Sequence, residues 1–391
     1  MKEIFNWLRV VRSENITNNV FWKLLQRYHT IENVLDNLPA LIKAAGKNNN
    51  FKLASKEMIE EELIEASKYG VQYICANQST YPPILKHIPY PPPILSIVGD
   101  INILQKPAIS VVGSRKATNT GMQLANAFAK QLGLSGFTIV SGLAIGIDTA
   151  AHKASIESGT IAVLAGGVNY IYPTQNRRLY YEIIDNGGAI ISEKPFNYTP
   201  NATDFPKRNK IIAGLSLGML VVEASKRSGS LISARLANEY NKIVFSIPHS
   251  LLNEKGQGNN ELLRDGATIA LAPNDIIETL LPLTFLSKEK SKPSLMSEAP
   301  VQNYLIKEPD YSTLLQPPIY NKTTDLKLNN INITDDTRKT VLKNLNFTPT
   351  SIETIQKFSN IPLEEVEQAI LELQLAGKIK LYANNNIALK Y

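Results

Sequence analysis

Cysteine is almost missing from this 391-residue chain, where Cys75 stands alone. A single thiol excludes an internal disulfide framework and a cysteine-based zinc site, and it fits a reducing cytosol. Cys75 itself reads as a small hydrophobe inside an apolar strand. Long hydrophobic runs are missing too. No stretch approaches the roughly 18 uncharged apolar residues of a membrane span. Met1-Lys2-Glu3-Ile4-Phe5-Asn6-Trp7 lacks the apolar core of a secretory signal. The expectation is a soluble, unsecreted, cytoplasmic protein with no membrane partner. A strong charge imbalance is also absent. Lys and Arg total 41 against 35 Asp and Glu, a net +6, which tilts toward a polyanionic partner without specifying one.

What is present is a well-cored chain, 43% hydrophobic, with room for two or three domains. From Phe5 to about Tyr69 apolar residues recur at helical spacing, as in Val20-Phe21-Trp22-Lys23-Leu24-Leu25 and Met58 to Ala66. Residues 1–80 are expected to form a small helical domain with Trp7 and Trp22 in its core. Tyr81-Pro82-Pro83 and Tyr90-Pro91-Pro92-Pro93 predict a stiff, extended connector, since successive prolines oppose helix. The rhythm then becomes strand, glycine loop, helix. Ile109–Val112, Thr138–Val140, Ile161–Leu164, Ala189–Ile191, Met219–Val222 and Ile243–Ile247 are short β-rich runs. Strands spaced by helices predict an α/β fold with a doubly wound parallel sheet over 81–283.

Residues 284–335, rich in Ser, Pro, Lys and Asn, read as a linker. Asp336–Leu345, Ile352–Phe358 and Leu363–Ala376 then predict three helices, with Lys378–Tyr382 and Ile387–Tyr391 flanking an Asn384-Asn385-Asn386 turn. Three helices and a hairpin make a C-terminal winged helix over 336–391. Thr350 with Glu353 is expected to form a capping box.

Four segments carry candidate chemistry. Gly113-Ser114-Arg115 begins the first βα turn. It lacks the G-x-G-x-x-G spacing of a dinucleotide site, and the chain has no Walker A spacing. The turn is either plain geometry with an exposed arginine or a phosphate cradle of amides, the Ser114 hydroxyl and the Arg115 fork. Ser141-Gly142-Leu143-Ala144-Ile145-Gly146-Ile147-Asp148 opens the next helix. Asp148 is either a helix cap or, with His152 four residues on, half of a catalytic pair. Phe205-Pro206-Lys207-Arg208-Asn209-Lys210 mixes an aromatic with cations, which suits a single strand of nucleic acid: cations neutralise phosphates while the ring stacks on a base. Ser228-Gly229-Ser230 opens a further helix, as cap, anion nest or both. No metal or cofactor is expected.

In this order, Val112-Gly113-Ser114-Arg115, Ser141-Gly142-Leu143-Ala144-x-Gly146-Ile147-Asp148-x-x-Ala151-His152, Tyr172-Pro173-x-x-Asn176, Ser192-Glu193, Phe205-Pro206-x-Arg208-Asn209, and Glu223-Ala224 with Ser228-Gly229-Ser230-Leu231 closely resemble the DNA-processing protein A (DprA/Smf) family. The resemblance is dense from about Tyr81 to Ala267 and looser at both ends. It implies an extended Rossmann-like domain, a SAM-like or helix-hairpin-helix-like N-terminal domain, single-stranded DNA binding, a homodimer, and loading of the RecA recombinase in natural transformation. It places Arg115 at the family's loop arginine and Phe205, Lys207 and Arg208 in its basic DNA-contacting loop. Ile247-Pro248-His249-Ser250 departs from the family's usual Pro-Gly.

The leading expectation is a non-enzymatic binder that protects incoming single-stranded DNA and loads RecA. Its nucleic-acid set is Gly113, Ser114, Arg115, Ser141, Gly142, Phe205, Lys207, Arg208, Asn209, Ser228, Gly229 and Ser230. The rival is a lysine-decarboxylase-like nucleotide phosphoribohydrolase with Glu223 as acid or base, although the Pro-Gly-Gly-x-Gly-Thr-x-x-Glu pattern of that family is not present. A winged-helix transcription factor is disfavoured, because Glu364, Glu365, Glu367, Gln368 and Glu372 give the third helix of the tail an acidic face that repels phosphate.

Overall fold

Amphipathic and fully apolar segments alternate along the chain, and each takes the element its period dictates. The computed structural model describes residues 2–44, 52–289, 333–382 and 386–390. It divides into two compact units, one of Met1–Glu65, Pro92–Ile94 and Lys322–Tyr391, the other of Ala66–Pro91 and Leu95–Asn321.

In the first unit, the N-terminal helices are α1 (Lys2–Val11), α2 (Asn18–Tyr28) and α3 (Ile31–Ala44), followed by α4 (Lys56–Lys68). Trp7, Phe21 and Trp22 form a tilted and edge-on aromatic cluster with centroids 5.1 to 6.4 Å apart. Arg12 and Glu62 pair at 3.0 Å with both side chains nearly buried.

The second unit is a nine-stranded sheet among the described residues. Its strands are β1 (Gln72–Cys75), β2 (Ile94–Gly99), β3 (Ala108–Val112), β4 (Thr138–Ser141), β5 (Thr160–Val163), β6 (Ala189–Ser192), β7 (Gly218–Val221), β8 (Ile243–Ser246) and β9 (Thr268–Ile269). The spatial order is β1-β2-β6-β5-β4-β3-β7-β8-β9. From β6 to β9 every pairing is parallel, and β2 joins β6 antiparallel with Ile97 opposite Ile191. The helices are α5 (Asn119–Leu134), α6 (Ile147–Ala154), α7 (Arg177–Asp185), α8 (Asp204–Gly214), α9 (Gly229–Glu239), α10 (Gln257–Arg264) and α11 (Pro273–Glu289). Strand β3 shows why its run is apolar throughout. Ile109 and Val111 enter the core with Phe128, Leu132 and Ala151 of α5 and α6, whereas Ser110 turns to α8, bonding Ile212 O at 2.7 Å and Ser216 Oγ at 2.6 Å. With helices on both faces, no position in the strand is left for water. Chain order reverses between β3 and β7, so ligands are expected at the carboxyl ends of these strands.

The C-terminal part of the first unit is a winged helix of α12 (Asp335–Lys343), α13 (Ile352–Ser359), α14 (Leu363–Leu375), β10 (Ile379–Leu381) and β11 (Ile387–Leu389). The last two strands pair antiparallel.

Four expectations change. The proline segment is not a purely extended bridge: Ile84–His87 forms a 3₁₀ turn, and Tyr81, Leu85 and Ile88 are buried, because proline is tolerated just before such a turn. The stretch read as linker from 284 begins inside α11, which runs to Glu289. The rest of that reading, residues 290–332, lies outside the described residues, as does most of the Asn384-Asn385-Asn386 turn. The cap of α13 is Ser351, whose hydroxyl accepts from Thr354 N at 3.2 Å, one residue beyond Thr350. The face of α14 is only partly exposed acid. Gln368 and Glu372 are buried, because α14 packs on α2 and α3 as well as on α12 and α13.

Candidate nucleic-acid interface

The loop after β3 is held by backbone bonds that free its arginine. Ser114 N donates to Glu223 O at 2.7 Å across the β3–β7 crevice. The buried Glu223 carboxylate accepts from Thr118 N at 3.0 Å and from Thr118 Oγ1, while Thr118 caps α5 by accepting from Gly121 N. Glycine is required at Gly146, where φ is +82° and any Cβ would collide with Ser114 O. Ser114 Oγ accepts from Lys116 N. Arg115 is left exposed, with its guanidinium 5.4 Å from the Phe205 ring centroid, and that ring meets Tyr172 edge-on at 5.5 Å. Cation, phenyl and phenol form one platform, and Tyr172 is 48% exposed.

Phe205 to Lys210 is not a loop. It forms the first turns of α8, which starts at Asp204, since proline is compatible with a first helical turn. Asp204 fixes this start. It accepts from Lys194 Nζ at 2.8 Å, Tyr198 OH at 2.9 Å and Asn201 N at 3.0 Å. Desolvation pushes its pKa up, and these donors outweigh that and hold it below the usual carboxylate value. Lys207 points outward, 62% exposed and 4.0 Å from Asp204. Asn209 is half-buried, and its Oδ1 accepts from Arg208 Nε at 3.3 Å.

Arg208, expected to hold phosphate, turns inward. It is 7% exposed, and its Nη1 donates to Gly142 O at 2.9 Å and to Val163 O. Two carbonyls at the ends of β4 and β5 thus take its donors, and burial lowers its pKa to about 10 against the opposing pull of Asp148. Ser141 and Gly142 are buried as well. Ser141 Oγ donates to Val111 O at 2.7 Å, and a Cβ on Gly142 would lie 2.6 Å from Arg208 Nη2. These three residues build the floor of the site rather than its surface.

The Asp148–His152 pair separates. Asp148 accepts from Gly142 N at 3.0 Å and Ala144 N at 3.3 Å, and burial raises its pKa against Arg208 and those amides. Thr160 Oγ1 donates to Ile139 O at 2.8 Å, so it accepts from His152 Nδ1–H at 2.7 Å. Asn176 Nδ2 reaches Leu143 O and Thr149 Oγ1, each at 2.8 Å. Ser228 caps α9, accepting from Ser230 N, while Gly229 is exposed with open space at its Cβ position. At the Pro248-His249 departure, the turn is closed by the imidazole: His249 Nε2 donates to Val222 O at 2.8 Å.

Sequence reasoning left Tyr172 out of the binding set, although Tyr172-Pro173 was one of the ordered segments, and the ring became visible only once Phe205 was placed. It also missed Lys116, whose carbonyl accepts from Lys255 Nζ at 2.9 Å, a pairing 139 residues apart that no local pattern records. Among the described residues no cluster of three His, Cys, Asp or Glu could hold a metal ion, and no helix is long and apolar enough to cross a membrane.

Comparison with known proteins matches all three parts of the chain. The family described as DNA recombination-mediator protein A matches residues 72–281, its N-terminal HHH domain residues 1–66 and its winged helix domain residues 329–383. Protein Smf of Synechocystis is 31% identical over 95% of both chains. DNA processing protein DprA of Bacillus subtilis is 38% identical over 61% of this chain and 81% of its own. The X-ray structure of DNA processing protein A from Streptococcus pneumoniae covers 67% of this chain and 98% of its own, with 30% identity and a TM-score of 0.51. The central domain, the helical N-terminal segment and the winged helix each match the corresponding domain of one family, and this chain belongs to the DNA recombination-mediator protein A family.

Proposed function

We propose that this chain binds single-stranded DNA without sequence preference, protects it and passes it to the RecA recombinase. The observation that carries the reading is the Arg115–Phe205–Tyr172 platform. Aromatic faces accept any base, and Arg115 with Lys207 supplies cations for successive phosphates. The exposed Lys116, next in the chain to Arg115, adds a further cation. Arg208, Ser141 and Gly142 position the platform. The activity is binding rather than turnover, since the Glu223 carboxylate that a phosphoribohydrolase would use is taken up by Thr118.

A salt titration with a labelled oligonucleotide tests this. Arg115→Ala is expected to flatten the plot of log affinity against log salt by about 0.7. Phe205→Ala is expected to cost about 1–3 kcal/mol with the slope retained. Wild-type affinity and slope in both variants would remove the platform from DNA binding.

We infer that two copies of the chain meet at the β9 end of the sheet. This two-residue edge strand exposes Ile269 and Leu271, near 50% and 70%, and Leu251 and Leu252 are more than 80% exposed. An unpaired edge with exposed apolar side chains is a natural seat for a second copy. Leu271→Glu is expected to shift sedimentation toward the monomer, and an unchanged mass would move the interface elsewhere.

A further inference from the structure

Helix α14 is buried on two sides. Val366, Ala369, Ile370 and Leu373 face the winged helix's own core. Gln368, Leu371, Glu372, Gln374 and Leu375 are also buried but lie outside that cluster. Positions 367, 371 and 374 stand four and seven residues apart, as do 368, 372 and 375, so they form a second stripe. The N-terminal helices cover it. Helix α14 packs against α2 and α3, and Asn15 Nδ2 donates to Leu375 O at 3.2 Å. Glu367 lies close enough to Lys23 to oppose the desolvation that lowers the lysine's pKa. Glu372, held by Arg338 of α12 at 2.6 Å, lies near Tyr28 and adds to the burial that raises the phenol's pKa.

This seam is built differently from a core. It pairs a cationic, aromatic helix, Asn18–Tyr28, with an acidic and apolar stripe. It also leaves the Asn19 side-chain amide and Gln374 Oε1 buried without a hydrogen-bond partner. Buried unpaired amides penalise the closed form and regain partners when hydrated, so the seam is poised to open. Both of its sides keep their own cores: Trp7, Phe21 and Leu24 on one, Val366, Ile370 and Leu373 on the other.

We propose that the outward face of α14 is a protein-docking surface latched shut by α2, and that opening the latch offers it to a basic amphipathic helix of a partner protein. The charge pattern names that chemistry. The partner presents lysine or arginine to Glu367 and apolar side chains to Leu371 and Leu375, as α2 now does with Lys23 and its apolar neighbours, while Glu372 stays paired with Arg338 of α12 at 2.6 Å. The winged helix of this chain therefore meets protein rather than a DNA groove.

The test is a charge swap in the full chain, read by amide exchange over residues 368–376 and by emission from Trp7 and Trp22. Lys23→Glu sets like charges together and is expected to speed exchange about tenfold. Glu367→Lys is expected to do the same, and the double variant to restore slow exchange. The probe for the freed surface is a labelled peptide of residues 18–28. It is expected to bind Lys23→Glu, whose α14 face is intact, at least about tenfold more tightly than the wild type, and not to bind Glu367→Lys. Should Lys23→Glu fail to fold, Lys23→Gln carries the same measurements. Wild-type exchange in the single variants, or an open Lys23→Glu that ignores the peptide, would overturn the proposal.

Discussion

Arg115 and Arg208 are the same residue in opposite surroundings, and burial assigns their work. Arg208→Ala leaves Gly142 O and Val163 O without their donor and the Asp148 carboxylate without its counter-charge. The expected loss is about 3–5 kcal/mol of stability, measured as a lower denaturant midpoint. Arg115 is exposed, so Arg115→Ala is expected within about 0.5 kcal/mol of wild type while DNA affinity falls. An Arg208→Ala protein with the wild-type midpoint but weakened DNA binding would restore Arg208 as a phosphate contact. The sequence places both arginines at strand ends, yet it cannot show which way a guanidinium turns, because that depends on carbonyls 45 and 66 residues away. His152 adds a pH dependence. Burial, helped by Arg208, lowers its pKa to about 3, against roughly 6.5 in the unfolded chain. Between those values the unfolded state binds more protons. The neutral imidazole's contribution is therefore complete above pH 6.5 and declines on acidification by up to about 1.4 kcal/mol per pH unit. Thermal melts of His152→Asn are expected to show lower stability at pH 7 and a flatter profile from pH 6.5 toward 3. A variant profile parallel to wild type would exclude His152 as the source.

At the scale of elements, strands β3 to β8 were legible because helices on both faces force continuous apolar runs. Strand β1 was legible only at Cys75, read as lying in an apolar strand, since it follows a long helical stretch and draws its partner, β2, from beyond the prolines, and β9 is too short to leave a pattern. Helix α8 was hidden by Pro206, which suggests a break until Asp204 and its three donors fix the first turn upstream. The β4–α6 loop shows how such elements lock together. Gly142 is needed for space rather than for φ, because Arg208 fills the volume of a side chain. Gly142→Ala is expected to cost about 1–3 kcal/mol by overpacking. In an Arg208→Ala background most of that cost should vanish, because the colliding group is gone. Chemical denaturation of the four proteins gives the coupling directly, and equal costs in both backgrounds would place the strain elsewhere.

At the scale of the molecule, sequence periodicity separates the helical N-terminal segment from the winged helix but not their packing. A stripe of Gln368, Leu371, Glu372 and Leu375 looks like an ordinary solvated face until α2 and α3 cover it, and Tyr28 at the end of α2 stands 307 positions before Asp335 at the start of α12, too far for any local pattern to record.

 The two chain ends thus share one folded unit, and removing one end should be felt by the other. Deleting residues from Asp336 onward uncovers the faces of α2 and α3 that α14 buries. Both tryptophans of the chain, Trp7 and Trp22, lie in those N-terminal helices, so their emission reports on this unit alone. Its melting temperature is expected to fall in the truncated protein by about 4–8 °C for each kcal/mol of packing lost. Arg115, Phe205 and Tyr172 belong to the other unit, so affinity for a single-stranded oligonucleotide is expected to remain at the wild-type value. An unchanged tryptophan melt would mean that α14 adds nothing to the N-terminal helices, whereas a large loss of DNA affinity would bring the winged helix into the binding site.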